Sequence, residues 1–224
     1  MGLRGPKPKG EAPKWSSPTA YAVGLMASDG NLSKDGRHLV FVSKDKELIL
    51  NIKKAFKVTA SEKHGPIHGA PVGNSYYRLQ WGSVVQYQFL ISVGLTPRKS
   101  LTIGALNIPD AFFFDFLRGV FDGDGCFYSY LDKRWKNSFM FYTDFVSASE
   151  AHLDWIQEEI ERHLQIRGHR TQSAQKSFFH LKYAKRESSI LLSRMYINPS
   201  SPALRRKKLK ISKALRIVSQ SLPN

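Results

Sequence analysis

AVGLMASDG at residues 22–30 and LRGVFDGDG at residues 117–125 are the two stretches that decide how this chain folds. Each sets a small residue, Gly24 or Gly119, four positions ahead of a second one, Ser28 or Gly123, and then ends in Asp-Gly. On a helix such residues share a face, because side chains three and four apart are neighbours. Two helices bared in this way can cross with their backbones close together, as small-xxx-small pairs do. Asp-Gly is a stop signal, so Asp29 and Asp124 are expected at the helix C-termini.

Working outward, further segments pair in the same order. VSKDKELILNIKKAF (42–56) lies over VSASEAHLDWIQEEI (146–160), YRLQWGSVVQYQFL (77–90) over FHLKYAKRESSILL (179–192), and PRKSLTI (97–103) over RRKKLKI (205–211). Preserved order identifies a divergent tandem duplication. In each copy the pattern predicts a helix entered through proline (Thr19–Ser28 after Pro18, Asp110–Asp122 after Pro109). A hairpin with a polar turn follows (KDGR at 34–37, DKRWKN at 132–137), then a helix, a strand and a last helix. The fold class is α+β with antiparallel strands. The chain divides into a basic flexible arm (1–18), a first repeat (19–107), a second repeat (108–212) and a C-terminal tail (213–224). The apolar residues Leu204, Leu209, Ile211 and Leu215 are expected to dock the basic segment that ends the second repeat.

The 224 residues carry 34 Lys plus Arg against 18 Asp plus Glu, a formal charge of +16, which points to a polyanionic partner. With 42% hydrophobic residues a core is affordable and wholesale disorder is disfavoured. A single cysteine, Cys126, excludes an intramolecular disulfide framework, and no Cys/His spacing suits zinc. No apolar run spans a bilayer and no signal-peptide core leads the chain, so the expectation is a soluble, intracellular protein with no membrane partner.

Crossed motif helices bring Asp29 and Asp124 together at a pseudo-twofold axis, where the helix macrodipoles disfavour anions. Paired carboxylates share a proton or a metal. Magnesium, or a similar divalent ion such as manganese, suits an oxygen donor set in a protein that binds a polyanion, and it suits phosphodiester hydrolysis. The candidate metal set is Asp29 and Asp124 with the flanking Ser28 and Gly123. Lys99 and Lys207, equivalent in the two copies, are candidate catalytic cations for the phosphate transition state. Alternation puts Tyr76, Arg78 and Gln80 on one face of their strand, and His180 and Lys182 on the equivalent face of the other. On these DNA faces Arg78, Gln80, His180 and Lys182 are the candidate base readers, Lys34, Arg37, Lys133, Arg134 and Lys136 in the hairpin turns are further candidate DNA contacts, and the arm with Arg4, Lys7, Lys9 and Lys14 and the basic tail are expected on the phosphate backbone.

The two nine-residue motifs, with the Gly-Leu-Thr-Pro-Arg-Lys-Ser run at 94–100, resemble those of the LAGLIDADG homing endonucleases in their single-chain, two-motif form. The resemblance covers roughly residues 19 to 211. It implies an αββαββα fold per repeat, motif helices packed at the interface, and two saddle-shaped antiparallel sheets set in the DNA major groove. It further implies a monomer with pseudo-twofold symmetry that cuts both DNA strands at a long target with divalent metal held by Asp29 and Asp124. Lys99 and Lys207 match the supporting basic position. Ala27 departs from the motif, which has an acidic residue there, whereas Asp122 retains it. The family also leaves room for an RNA maturase acting on intron RNA, and for a non-cleaving DNA-binding regulator. Either way the expected location is the cytoplasm or nucleoid, or an organelle in a eukaryote.

Overall fold

The computed structural model describes residues 10–67, 71–134, 138–174 and 177–221. Of the expected DNA contacts, Lys136 lies outside the described residues, as do Arg4, Lys7 and Lys9 of the arm.

The first motif helix, α1 (Ser17–Ser28), starts two residues earlier than the sequence suggests. Ser16 caps it, its hydroxyl accepting from the Thr19 amide at 3.3 Å, and Pro18 fits the first turn, where no amide partner is needed. The end of the arm is therefore anchored. Trp15 packs its ring against Phe89 and Phe112, with centroids 5.3 and 6.4 Å away. After α1 come β1 (Gly30–Leu32), β2 (His38–Ser43), α2 (Lys46–Phe56), β3 (Lys63–Gly65), β4 (Tyr76–Gly82) and α3 (Val84–Val93). A short 3-10 turn at Lys99–Leu101 closes the repeat.

A second 3-10 turn, Asp110–Phe112, leads into the other motif helix, α4 (Phe113–Gly123), so the expected helix from Asp110 is α-helical only from Phe113. The elements then repeat as β5 (Cys126–Asp132), β6 (Ser138–Ser147), α5 (Glu150–Leu164), β7 (His169–Gln172), β8 (Phe179–Ala184) and α6 (Lys185–Met195). The last helix, α7 (Arg205–Ser221), runs without interruption through position 213, where the sequence suggested a tail would begin. Ile211 and Ala214 are buried on its inner side, as is Leu204 just before it, but Leu209 is 58% exposed and belongs to the outer side.

Each repeat builds one four-stranded antiparallel sheet, ordered β1-β2-β4-β3 and β5-β6-β8-β7. Register follows alternation. Leu39 and Phe41 of β2 and Leu79 and Trp81 of β4 point into the core, as do Phe141 and Phe145 of β6 and Leu181 and Tyr183 of β8. The other face of each sheet is open. The core is continuous through α1 and α4: Tyr21, Ala22, Val23, Leu25 and Met26 are fully buried, and so are Phe116, Leu117 and Phe121.

The last helix of the second repeat also ties to the first. Arg206 forms a two-pronged ion pair with Asp45, the N-cap residue of α2, at 2.8 and 2.9 Å, and the Arg205 amide donates to Glu47 at 2.9 Å.

Candidate active site and nucleic-acid interface

Glycine makes the helix crossing possible. A methyl group added at Gly24 would drive into the Phe116 carbonyl oxygen and lie 2.8 Å from the Val120 nitrogen. One added at Gly119 would meet the Tyr21 carbonyl oxygen and the Gly24 Cα. One turn on, Gly123 faces Ser28, and a Cβ at Gly123 would stand 3.3 Å from the Asp29 carboxylate. The four interface residues therefore lie on the contact, and the crossing delivers both helix ends to one place.

Asp29 and Asp124 occupy the C-cap positions of α1 and α4. Their tips reach solvent, yet the packed helix ends strip hydration from behind them. That loss of water, together with the charge of Asp124, pushes Asp29 up to about 7, against the pull of Lys99 and Lys207. Desolvation likewise raises Asp124, opposed by the same two lysines.

Lys99 and Lys207 arrive by different routes at equivalent posts. Lys99 is 5% exposed on the 3-10 turn, and its Nζ donates to the Gly30 carbonyl at 2.6 Å and the Ser28 carbonyl at 3.2 Å. Lys207, in the first turns of α7, donates to the Gly125 carbonyl at 2.6 Å and to those of Phe121 and Asp122 at 2.6 and 3.0 Å. Gly30 and Gly125 each follow their motif aspartate directly, so the two ammonium groups match across the duplication. They supply the positive charge that the helix C-termini require. Burial lowers both lysines, Lys99 to about 8, while Asp124 and Asp29 hold Lys99 up and Asp122 does the same for Lys207.

The Ser28 hydroxyl turns back to donate to the Leu25 and Gly24 carbonyls at 3.0 and 3.3 Å, and Gly123 can offer a metal set only its main-chain oxygen. The remaining donors are carboxylate oxygens, the set that hard divalent cations prefer, and a cation would relieve the mutual repulsion that lifts Asp29. The residues present fit such an ion. A different cluster among the described residues, Asp110, Glu159 and His163, has metal-like spacing, but a guanidinium already fills it. Arg162 Nη2 donates to Asp110 at 2.6 Å and to Glu159 at 2.5 Å.

Sequence reasoning missed the part played by Asp122. It is buried, accepting from the Tyr21 hydroxyl at 2.7 Å and from the Leu204 amide at 2.6 Å. Burial pushes its carboxyl up while those donors hold it down. Asp122 thus pins the residue that precedes α7, and with it Lys207. Arg118 assists, donating to Pro202 at 2.8 Å and to Met195 and Asp115. Also missed was His152, whose Nδ1 donates to the Gly104 carbonyl at 2.8 Å and whose burial drives its pKa down to about 4. It lines, with Ser28, Val120, Asp124, Val146 and Phe178, a cavity of about 210 Å³ beside the helix ends.

On the open face of the first sheet, Arg78 and Gln80 are exposed and bonded to each other, Nη2 to Oε1 at 3.1 Å. Tyr76 carries the Lys44 ammonium over its ring at 5.3 Å. The second sheet departs from expectation. His180 and Lys182 do occupy its open face, but they converge on Asp144, which is only 6% exposed. His180 Nδ1 donates to that carboxylate at 3.1 Å, and Lys182 Nζ stands 4.0 Å from it. Alternation in β6 places Asp144 there, a strand the sequence reading did not resolve by face. Lys34, Arg37 and Lys133 are exposed in the hairpin turns. Arg134 is exposed too but folds back on Asp132 through two bonds, at 2.8 and 3.1 Å.

No protein-family model and no curated protein matches the chain. Solved structures do. The I-LtrWI LAGLIDADG homing endonuclease bound to target DNA matches with a TM-score of 0.63 at 12% identity, over 92% of this chain and 91% of that one. The meganuclease I-SmaMI bound to uncleaveable DNA matches at 0.62 and 14%, over 94% and 92%. Full-length DUF199/WhiA from Thermatoga maritima matches at 0.56 and 14%, over 96% of this chain but 64% of its own length. The shared property is the fold: two four-stranded antiparallel sheets on a pair of crossed motif helices, the LAGLIDADG homing-endonuclease architecture within one chain.

Proposed function

We propose that this chain is a site-specific, metal-dependent endonuclease that cuts both strands of double-stranded DNA. The observation that carries the reading is the doubled constellation at the helix crossing. Each repeat contributes one aspartate at a motif-helix end and one lysine held 2.6 Å from the carbonyl of the glycine that follows it. A pseudo-twofold pair of this kind offers one set of groups to each strand of a duplex, whose two strands are related in the same way. Asp29 and Asp124 would hold magnesium or manganese. Such an ion supplies Lewis-acid stabilisation of the phosphodiester transition state. Lys99 and Lys207 keep positive charge beside the carboxylates and present it to the phosphate. Arg78, Gln80 and the turn cations Lys34, Arg37 and Lys133 engage the duplex, the last three through phosphates. The protein acts as a monomer, inside the cell that holds its target.

Cleavage of a randomised duplex library, read by sequencing, tests this reading. With magnesium a single enriched cut site should appear, with calcium the same site should be bound uncut, and with chelator nothing should be cut. Binding without cleavage in magnesium would identify a DNA-binding regulator instead. Selective binding of structured intron RNA over the duplex would identify a maturase.

A further inference from the structure

The two open sheet faces differ in chemistry. Among the described strand residues, the first face carries Lys63 and Arg78 and no carboxylate. The second carries Lys182 against Asp132 and Asp144, and its centre is aromatic. Register puts Tyr128 opposite Tyr142 and Tyr130 opposite Met140, two residues apart along strands whose alternate residues, Phe127 and Phe141, are buried in the core. All four therefore stand on the open side. The rings form a ladder: Tyr128 and Tyr142 stack with centroids 5.3 Å apart at 15°, and Tyr130 and Tyr142 at 6.4 Å and 4°. Tyr130 is 42% exposed.

The described strand residues of this face offer DNA little positive charge. Its lysine, Lys182, stands 4.0 Å from Asp144, and among the described residues Asp132 pairs with Arg134 at the hairpin tip. A duplex carried onto it by the basic first sheet and the crossing helices meets rigid rings and a thioether. The apolar group that the major groove offers to such a surface is the C5-methyl of thymine. We infer that the second repeat reads its half of the target through thymine methyl groups, using Tyr128, Tyr130, Met140 and Tyr142, whereas the first repeat reads its half by hydrogen bonds from Arg78 and Gln80. The inference rests on the endonuclease reading and names the sequence class of one half-site.

The test uses unaltered protein. Duplexes that bind in calcium are selected from a randomised library, and deoxyuridine then replaces thymidine in one half-site or the other, removing the methyl group alone. Thymine should be enriched in one half. There each lost methyl should weaken binding about fourfold, as expected for one buried carbon, and the same exchange in the other half should change nothing. Tyr142→Ala, or the more exposed Tyr130→Ala if the first fails to fold, should abolish the uridine penalty. Selection of a site with no uridine penalty, or with equal penalties in both halves, overturns the inference while leaving the endonuclease reading intact. Failure to select any duplex overturns both.

Discussion

At the end of the first motif helix stands the buried Ala27, with no side-chain hydrogen-bonding group, and the matching lysine comes from a 3-10 turn 69 residues beyond the carbonyl it meets. At the end of the second, the equivalent residue is Asp122, and the matching lysine comes from α7, more than eighty residues away. Both ends nevertheless hold Nζ 2.6 Å from the carbonyl that follows the motif aspartate. The difference teaches that the carboxylate and ammonium pair is the constant and its scaffolding is free to vary. A short 3-10 turn carries Lys99 to the Ser28 and Gly30 carbonyls. A helix carries Lys207, and Asp122 anchors the start of that helix by accepting from the Leu204 amide.

The strongest way to break the comparison is to attack the pair itself. Asp29→Asn and Asp124→Asn should each lower double-strand cleavage in magnesium by at least about a hundredfold while leaving affinity in calcium nearly unchanged, since affinity comes from basic and sheet contacts. A variant that still cuts both strands at the parent rate would remove that aspartate from the active site.

Next in size is the crossing. Gly24→Ala and Gly119→Ala meet backbone rather than side chains, so each should cost about 3 kcal/mol, the upper end of overpacking penalties. Denaturant unfolding should give similar losses for the two, because their contacts mirror each other. A large loss for one alone would show that the crossing is less symmetric than its glycines.

The anchors should respond unequally. Asp122→Ala leaves the Tyr21 hydroxyl and the Leu204 amide without a buried acceptor and should cost about 1 to 3 kcal/mol. It should also slow the cutting of one strand more than the other, so that nicked product accumulates on a supercoiled substrate. Equal slowing of both strands would deny that Asp122 acts through Lys207.

The smallest effect is on pH dependence. Asp29 in the fold sits near 7 against 3.8 in the unfolded chain, so the fold prefers its protonated form. The stability this confers is present below about 4 and is lost as pH rises toward 7. In chelator, the melting temperature of Asp29→Asn relative to the parent should therefore rise slightly between pH 4 and pH 8. The rise is limited because the carboxylate reaches solvent. A relative fall would mean that Asp29 is stabilised as the anion, with the lysines outweighing its desolvation.

What the sequence by itself determined was everything that repeats at short range. The spacing of Gly24 from Ser28 and of Gly119 from Gly123 marked the helix faces. Alternation in YYRLQW sorted Arg78 and Gln80 from Leu79 and Trp81. The paired order of segments revealed the duplication and, through it, the equivalence of Lys99 and Lys207. These features are periodic, and a period of two or 3.6 is visible without knowing what lies across the fold. Tertiary structure alone decided the pairings between distant residues: Asp122 with Leu204, Arg206 with Asp45, His152 with Gly104, Trp15 between Phe89 and Phe112. It also decided that Asp144, His180 and Lys182 meet in one cluster beside a tyrosine ladder. A carboxylate carries no mark of its partner in the sequence. Its charge is satisfied by whichever donor the packed chain brings within about 3 Å, and that is settled only when the elements meet.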